Sequence, residues 1–342
     1  MKKQIKVKFV DFHHPFNPEK SVLWKRLWEH YDLILSENPD YVIFSVFGNE
    51  HLEYNDCVKI FWTGENQTPD FNFCDYAIGF EHLHFGDRYM RLPLWMIYPS
   101  DVQQMQSKHI NPDISAKTDF CSFVYSNSNA APARQQFYDA LSAYKHINSG
   151  GRFNNNVGSP VSDKLAFQQK HKFAIAFENT SHPGYTTEKL IQAFAAQTVP
   201  VYWGDPCVAD DFDTGSFVNC HDFPDWDAVV ARVRQIDEDD ALWQQMLQTP
   251  ALHNPHIVEN AMNQLDAFLQ HIFDQTPISA RRYSRDYWTL KQLRIRQREH
   301  RAYERSLFGL MHRFFRQHLY SVARNNKTLW QMTQTLMRKL KM

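Results

Sequence analysis

Short apolar runs alternate with amphipathic stretches along this chain. Residues 6–12, 41–47, 59–63 and 76–80 are strand-length runs rich in β-branched and aromatic side chains. Between the first two, Val22, Leu23, Leu27 and Tyr31 share one face at helical spacing, which predicts a helix over 19–31. A polar stretch, 100–119, contains Asn111-Pro112-Asp113 and marks the approach to a domain boundary. The alternation then restarts. Strands are predicted at 120–125, 172–177, 198–203 and 216–219, and helices at 132–144, 187–196 and 226–236. Pro132 suits a helix's first turn. Strands that alternate with helices predict parallel sheets covered by helices. The expected fold class is therefore α/β, with two Rossmann-like domains facing across a cleft and ligands held beyond the carboxyl ends of the strands. The expected divisions are an N-terminal domain over 1–115, a second domain over 116–280, and a basic amphipathic helical tail over 281–342.

Length supports two cores, since 342 residues exceed one typical domain. The net charge of −1 hides an asymmetry. Residues 281–342 hold 16 Lys and Arg against 3 Asp and Glu, leaving 21 basic and 35 acidic residues for the body. In the tail Leu307, Leu310, Met311 and Phe314 follow the i, i+3, i+4, i+7 rule, and Arg305, Arg313, Arg316 and Arg324 supply a basic face. Two readings stand: a helix packed back on the body, or attachment to an anionic membrane surface or a partner helix. Nucleic-acid binding is not expected, because the body is acidic and has no basic patch interleaved with aromatics. The five cysteines have no C-x-x-C spacing and the histidines no zinc-site spacing, so buried thiols and no bound metal are expected. The basic start MKKQIKVKF lacks an apolar core for a signal peptide, and no run reaches about 18 apolar residues. A cytoplasmic protein, peripheral on the inner face of the membrane through its tail, is the expectation.

Chemistry concentrates in KFAIAFENTSHPGYTTEKLIQAFAAQTVPVYWGDP, residues 172–206. The strand over 172–177 delivers Glu178, Asn179 and Thr180 at its carboxyl end. A turn through Ser181-His182-Pro183-Gly184 follows, Thr186 or Thr187 can cap the next helix, and Glu188 and Lys189 fall in its first turn. Free backbone N–H groups at such a helix start would suit a diphosphate. Lys189 opposes the helix dipole, so an anionic partner would make sense of it. The plainer alternative is an ordinary strand–helix connection with a charged cap. The acidic run Asp237-Glu238-Asp239-Asp240 reads as a solvated turn.

The same segment resembles the signature of the bacterial α-1,3/4-fucosyltransferases, the family of the Lewis-antigen enzymes. The matching pieces are Phe177-Glu178-Asn179-Thr180, Gly184-Tyr185-Thr186-Thr187-Glu188-Lys189 and Pro200-Val201-Tyr202-Trp203-Gly204. Elsewhere Phe61-Trp62-Thr63-Gly64-Glu65-Asn66 resembles the family's F-x-T-G-E-N, and Asp75-Tyr76-Ala77-Ile78-Gly79-Phe80 its DYAIGF. Asp87-Arg88-Tyr89 with Arg91-Leu92-Pro93-Leu94, Ser126-Asn127 with Arg134 and Phe137-Tyr138, and Ser216-Phe217-Val218-Asn219 match further pieces. The resemblance is good over 59–223, weak over 6–47 and poor after about 274. The tail lacks the D-D-L-R heptads of some relatives, which leaves dimerisation and oligomeric state open.

The resemblance implies transfer of L-fucose from GDP-β-L-fucose to a GlcNAc hydroxyl of a Gal-GlcNAc glycan, with inversion. Glu65, after a strand end, is the candidate base, with a solvated turn carboxylate as its alternative. The glycine before it would give the backbone latitude. Arg134 and Lys189 are the candidate diphosphate partners, with a helix-surface role as the alternative for Arg134. Glu188 would bind sugar hydroxyls or stabilise the oxocarbenium-like transition state. Ser126, Asn127, Glu178, Asn179 and Tyr185 complete the expected donor site, and Trp62, Tyr89 and Trp95 are candidates for an acceptor wall. Tyr202 and Trp203 read as core aromatics. No cofactor beyond the GDP-fucose donor is implied. A divalent ion that stimulates without being held by the protein is compatible with this. An α-1,4 linkage, another nucleotide sugar, or a non-catalytic GDP- or carbohydrate-binding protein are the alternatives.

Overall fold

The computed structural model describes residues 2–108, 112 and 114–314. It forms two compact units. Unit 1 is built from residues up to Phe61, Asp70–Asp75 and those from Thr276 onward; unit 2 takes Trp62–Pro69 and Tyr76–Gln275.

In unit 1, β1 (Lys3–Val10) leads through α1 (Val22–His30) into β2 (Tyr31–Leu35), followed by β3 (Tyr41–Phe44) and β4 (Val58–Trp62). The pairs β2–β1, β1–β3 and β3–β4 are all parallel. Every residue of β3 and β4 is buried, as continuous apolar runs in covered parallel sheets should be. The expected first helix is shorter than its hydrophobic pattern. It starts where the Ser21 hydroxyl accepts the Trp24 N–H at 3.1 Å, and it buries Leu23 and Leu27. Tyr31 does not close it but opens β2, an outer strand whose half-exposed YDLIL sequence gives too weak an apolar run to read.

In unit 2, β5 (Tyr76–Gly79) pairs in parallel with β6 (Tyr89–Arg91), and α2 (Pro99–Gln106) follows. A second sheet is made from β7 (Asp119–Phe123), β8 (Ile147–Ser149), β9 (His171–Phe177), β10 (Val199–Trp203) and β11 (Val218–Asn219). Its order is β11-β10-β9-β7-β8, parallel throughout. The helices are α3 (Ala133–Tyr144), α4 (Lys164–Gln168), α5 (Glu188–Ala195), α6 (Trp226–Glu238), α7 (Asp240–Gln248) and α8 (Ile257–Phe273). The two parallel sheets bear out the α/β expectation. Phe123, Phe137, Phe173, Phe177, Val201 and Val233 meet in the core of the second sheet. The acidic run Asp237–Asp240, which closes α6 and opens α7, is not a plain solvated turn. The Asp237 carboxylate bonds Tyr144 Oη at 3.0 Å and Lys145 Nζ at 2.8 Å, and Asp239 caps α7.

The chain returns to unit 1 as α9 (Tyr287–Arg305) and α10 (Leu307–Phe314). Asp75, wholly buried, accepts the N–H groups of Arg282 at 2.6 Å, Tyr283 at 3.1 Å and Lys59 at 2.9 Å, clasping the segment before α9 to β4. Leu293 packs with Leu52 and Phe73, and Arg296 pairs with Asp70 at 3.1 Å. α9 therefore packs back on its own unit. Leu307, Leu310, Met311 and Phe314 of α10 are exposed. Arg316 and Arg324 lie outside the described residues. Cys57, Cys74, Cys121 and Cys220 are buried thiols outside any disulfide, and Cys207 is half-buried. Among the described residues no helix is long and apolar enough to cross a membrane.

One buried hydroxyl ties β7 to β9. Tyr125 Oη donates to the Ile175 carbonyl at 2.9 Å and accepts the Phe177 N–H at 2.6 Å. Tyr125→Phe leaves both groups without this partner in a dry core. It should lower the unfolding free energy by about 1–3 kcal/mol, read as a lower denaturation midpoint with an unchanged slope.

Candidate functional site

β9 ends on Phe177, stacked against Phe137 at 5.0 Å between ring centroids. The next residue, Glu178, is 0% exposed. Its two oxygens are used by the start of α5: Oε1 accepts the Thr187 N–H at 2.8 Å, and Oε2 accepts the Thr187 hydroxyl at 2.7 Å and Lys189 Nζ at 3.1 Å. Thr187 is the N-cap residue, yet its side chain makes no cap bond; the carboxylate from the preceding strand does that work. The Thr187 N–H expected to be free is thus occupied. The anion expected opposite Lys189 is inside the protein: Nζ also bonds Thr187 Oγ1 at 2.9 Å and pairs with Glu188 Oε1 at 3.4 Å.

The charges shift accordingly. Burial raises the Glu178 carboxyl, opposed by Lys189 and the Thr187 donors. Burial works against the Lys189 ammonium, but Glu178 and Glu188 together overcome it and hold it above its ordinary value. Burial likewise works against the Glu188 carboxylate, and Lys189 and Lys164 overcome it, keeping Glu188 below the usual range.

Two glycines and an aspartate shape the turn. A Cβ on Gly204 would stand 2.4 Å from Glu178 Cγ, and one on Gly184, at φ +82°, would stand 2.5 Å from the Phe80 carbonyl oxygen. Buried Asp205 accepts the Gly184 N–H at 2.7 Å and the Thr186 hydroxyl at 3.0 Å. Tyr202, fully buried as expected of a core aromatic, accepts the Asp205 N–H at 3.1 Å. Trp203 packs against the same core. Tyr185 is 4% exposed, its ring 5.1 Å from Phe80.

Glu65 belongs to the same unit, in the turn after β4. Gly64 precedes it for a steric reason and not for backbone latitude: a Cβ there would meet both Leu94 methyl carbons at 3.0 Å. The turn is fastened to the loop after β9 by Asn66 Nδ2 on Thr180 Oγ1 at 2.7 Å. Thr68 Oγ1 donates to Glu81 Oε1 at 2.6 Å, which His182 Nε2 also meets at 3.2 Å. The Glu65 residue is exposed, yet atoms crowded around its carboxyl raise it above the ordinary carboxylate value; Glu188 adds to this and Lys189 opposes it. Glu65, Glu178, Tyr185, Glu188 and Lys189 therefore act on one another electrostatically.

Arg134 is not a helix-surface residue. It is 2% exposed, its guanidinium lies 4.0 Å over the Tyr125 ring, and it donates to Asn127 O, Phe177 O, Glu178 O and Asn179 Oδ1 at 2.8–3.2 Å. Ser126 and Asn127 are exposed in the turn after β7. Of the three acceptor-wall candidates, Trp95 is fully buried, with its indole N–H 3.3 Å from Asp211 Oδ2, and has no surface to present. Trp62 is 8% exposed. Tyr89 is half-buried and donates to the Glu81 carbonyl at 2.9 Å. Sequence reasoning missed Tyr98 and Lys164. Burial pushes the Tyr98 phenol up to about 12, with Glu188 contributing. Burial pushes Lys164 down to about 8 against the pull of Glu188. Neither lies in a recognisable motif, though Asp163 before Lys164 reads as a helix cap.

Two family models match: the N-terminal domain of α-(1,3)-fucosyltransferase FucT over residues 7–98, and the C-terminal part of glycosyltransferase family 10 (fucosyltransferase) over residues 114–267. A crystal structure of an α1,3-fucosyltransferase matches with a TM-score of 0.72 at 30% identity, covering 80% of this chain and 91% of that one. One determined with GDP-fucose matches at 0.71 and 29%, covering 80% and 92%. The chain belongs to glycosyltransferase family 10, the fucosyltransferases. The α-(1,3)-fucosyltransferase FucT of Helicobacter pylori is 35% identical over 286 residues, 72% of this chain and 58% of that protein. A human 3-galactosyl-N-acetylglucosaminide 4-α-L-fucosyltransferase is 28% identical over 173 residues, 47% of each chain. The chain thus spans roughly half the length of these two curated relatives.

Removing Glu178 would leave Lys189 and the Thr187 N–H without their buried partner. Glu178→Ala should cost about 3–5 kcal/mol of stability, and Glu178→Gln, which keeps an acceptor for Thr187, clearly less. Urea denaturation of the two variants side by side checks the order.

Proposed function

We propose that the chain transfers L-fucose from GDP-β-L-fucose to the GlcNAc 3-OH of Gal-GlcNAc glycans, with inversion. The observation that carries this is the crowded, raised carboxyl of Glu65 beside the Glu178–Lys189–Glu188 cluster. The relatives add the donor: one solved α1,3-fucosyltransferase was determined with GDP-fucose.

In this reading residues 1–115 bind the acceptor, 116–280 hold the donor, and the part of the tail from α10 onward, beyond the packed α9, sits on an anionic membrane surface at the cytoplasmic face. The exposed apolar side chains of α10 support the last point. Glu65 takes the proton of the attacking hydroxyl as the new bond forms to fucose C1 and the bond from C1 to the GDP oxygen breaks on the opposite face. A raised carboxyl is a better base near neutral pH than an ordinary one. Lys189 and Arg134 face the negative charge gathering on the departing diphosphate, while Glu188 faces the positive charge developing on the sugar. Tyr185, Asn179, Ser126 and Asn127 shape the donor pocket. The acceptor wall falls to Trp62 and Tyr89. No protein-bound metal enters this scheme.

The direct test is GDP-fucose with a panel of type-1 and type-2 Gal-GlcNAc disaccharides, followed by linkage analysis of the product. An α-1,4 product, the linkage in the human relative's name, would move the attacking hydroxyl and leave the rest standing. GDP binding without transfer or donor hydrolysis would make the chain a binding protein.

Glu65→Gln should lower transfer by about 100-fold or more and leave GDP affinity within about two-fold, by calorimetry. In the wild type the base works only when deprotonated, and its value is raised. The acid limb of kcat/KM should therefore lie above the ordinary carboxylate range and vanish from the residual activity of the variant.

A further inference from the structure

Donor groups can be counted around the first turn of α5. The Lys189 ammonium donates to Glu178 Oε2 at 3.1 Å and Thr187 Oγ1 at 2.9 Å and forms an ion pair with Glu188 Oε1 at 3.4 Å. Its charge is already shared by two carboxylates. The Arg134 guanidinium gives four hydrogen bonds to protein oxygens, one through Nη1 and three through Nη2, and its buried Nε–H has no hydrogen-bond partner among the described residues. Lys189 is thus neutralised by carboxylates of its own unit, and most of the Arg134 donors are engaged with backbone and amide oxygens.

Lys164, the first residue of α4, differs. Its hydrogen bond among the described residues is to a neutral group, Gln192 Oε1, at 2.8 Å. Gln192 is itself held by Asp101 Oδ2 of α2 at 2.9 Å through its amide nitrogen, which fixes its oxygen towards Lys164. Gln192 is four residues after Glu188 in α5, so the two lie on one helix face. An ammonium anchored on Gln192 therefore stands over the face that carries Glu188. Two of its three N–H bonds remain for a ligand, and no carboxylate within ion-pair distance neutralises it among the described residues.

We infer that Lys164 is a further donor-binding residue, whose ammonium, held by the Gln192–Asp101 relay, contacts the diphosphate of the nucleotide sugar. This rests on the proposed GDP-fucose reading and deepens it. The groups facing Lys164 are Glu188, Lys189 and Gln192 on α5, Asp101 on α2 and Glu178 at the end of β9. Burial lowers its affinity for a proton to about 8, so its charge is complete only on the acid side of that value. A bound diphosphate would hold the proton on it.

Calorimetry with GDP and with guanosine separates the contributions. Lys164→Met should weaken GDP binding about ten- to a hundred-fold, the range for a lost hydrogen bond to a charged group, and leave guanosine binding within about two-fold. Lys164→Arg, which keeps the charge, should retain most of the GDP affinity and guards against a misfolded Met variant; melting temperatures of both are compared with wild type. GDP affinity of Lys164→Met within two-fold of wild type would overturn the inference, and so would an equal loss for guanosine and GDP. If the wild type binds neither nucleotide nor nucleoside, the proposed function falls with it; if it binds GDP and the variant binds equally, only the role of Lys164 falls.

Discussion

A carboxylate with no solvent exposure organises the junction of β9 and α5 in unit 2. Glu178 leaves the carboxyl end of β9 and closes the open backbone at the start of α5 through Thr187, while its second oxygen holds Lys189. A buried charge is tolerated only when its oxygens are met by donors. Here every donor comes from the adjoining helix, so strand end and helix start are fixed as one piece. This also explains a cation in the first turn of a helix, where the dipole disfavours it: Lys189 answers Glu178 and Glu188, and the dipole is a smaller term.

The neighbouring motif residues exist to let that contact form. Only a glycine at 204 lets β10 run past the Glu178 side chain, and only a glycine at 184 lets the turn lie against the Phe80 carbonyl. Asp205 then holds the turn from the other side through Gly184 and Thr186, and Tyr202 holds Asp205. The segment from 177 to 205 is thus a set of mutually satisfied buried polar groups. Such networks specify one geometry because each unmet group is costly.

Much of this could be read from the sequence, and the failures have physical causes. The β9–α5–β10 run was legible because its apolar strands are covered on both faces and its polar residues are dense. β2 was not, because an outer strand with exposed Ile34 and Leu35 lacks a clear pattern. The positions of Glu65, Glu178 and Lys189 were legible from strand ends and motif spacing, but their partners were not. Sequence shows a lysine at a helix start; it does not show that a glutamate eleven residues earlier neutralises it. For the same reason sequence reasoning left open a surface position for Arg134, expected as a diphosphate partner, although three backbone carbonyls and an amide oxygen enclose it. Trp95 and Trp62 show the converse, since an aromatic's place in a motif does not tell whether it faces a ligand or the core.

The neutralisation of Lys189 by Glu178 bears on how the proposed site would meet a diphosphate. In the proposed reading the three carboxylates Glu65, Glu178 and Glu188 would resist an incoming polyanion unless cations exceed what those carboxylates consume. Lys189 balances Glu178 and part of Glu188, so it sets geometry as much as it supplies free charge. The attraction for a donor would then come from cations with neutral partners, and from the response of the carboxylates themselves. An approaching diphosphate raises the proton affinity of a nearby carboxyl. Glu65, already raised, would be raised further while the donor is intact, which improves it as a proton acceptor from the attacking hydroxyl. The negative charge that makes the donor hard to bind is in this way part of what would prepare the base.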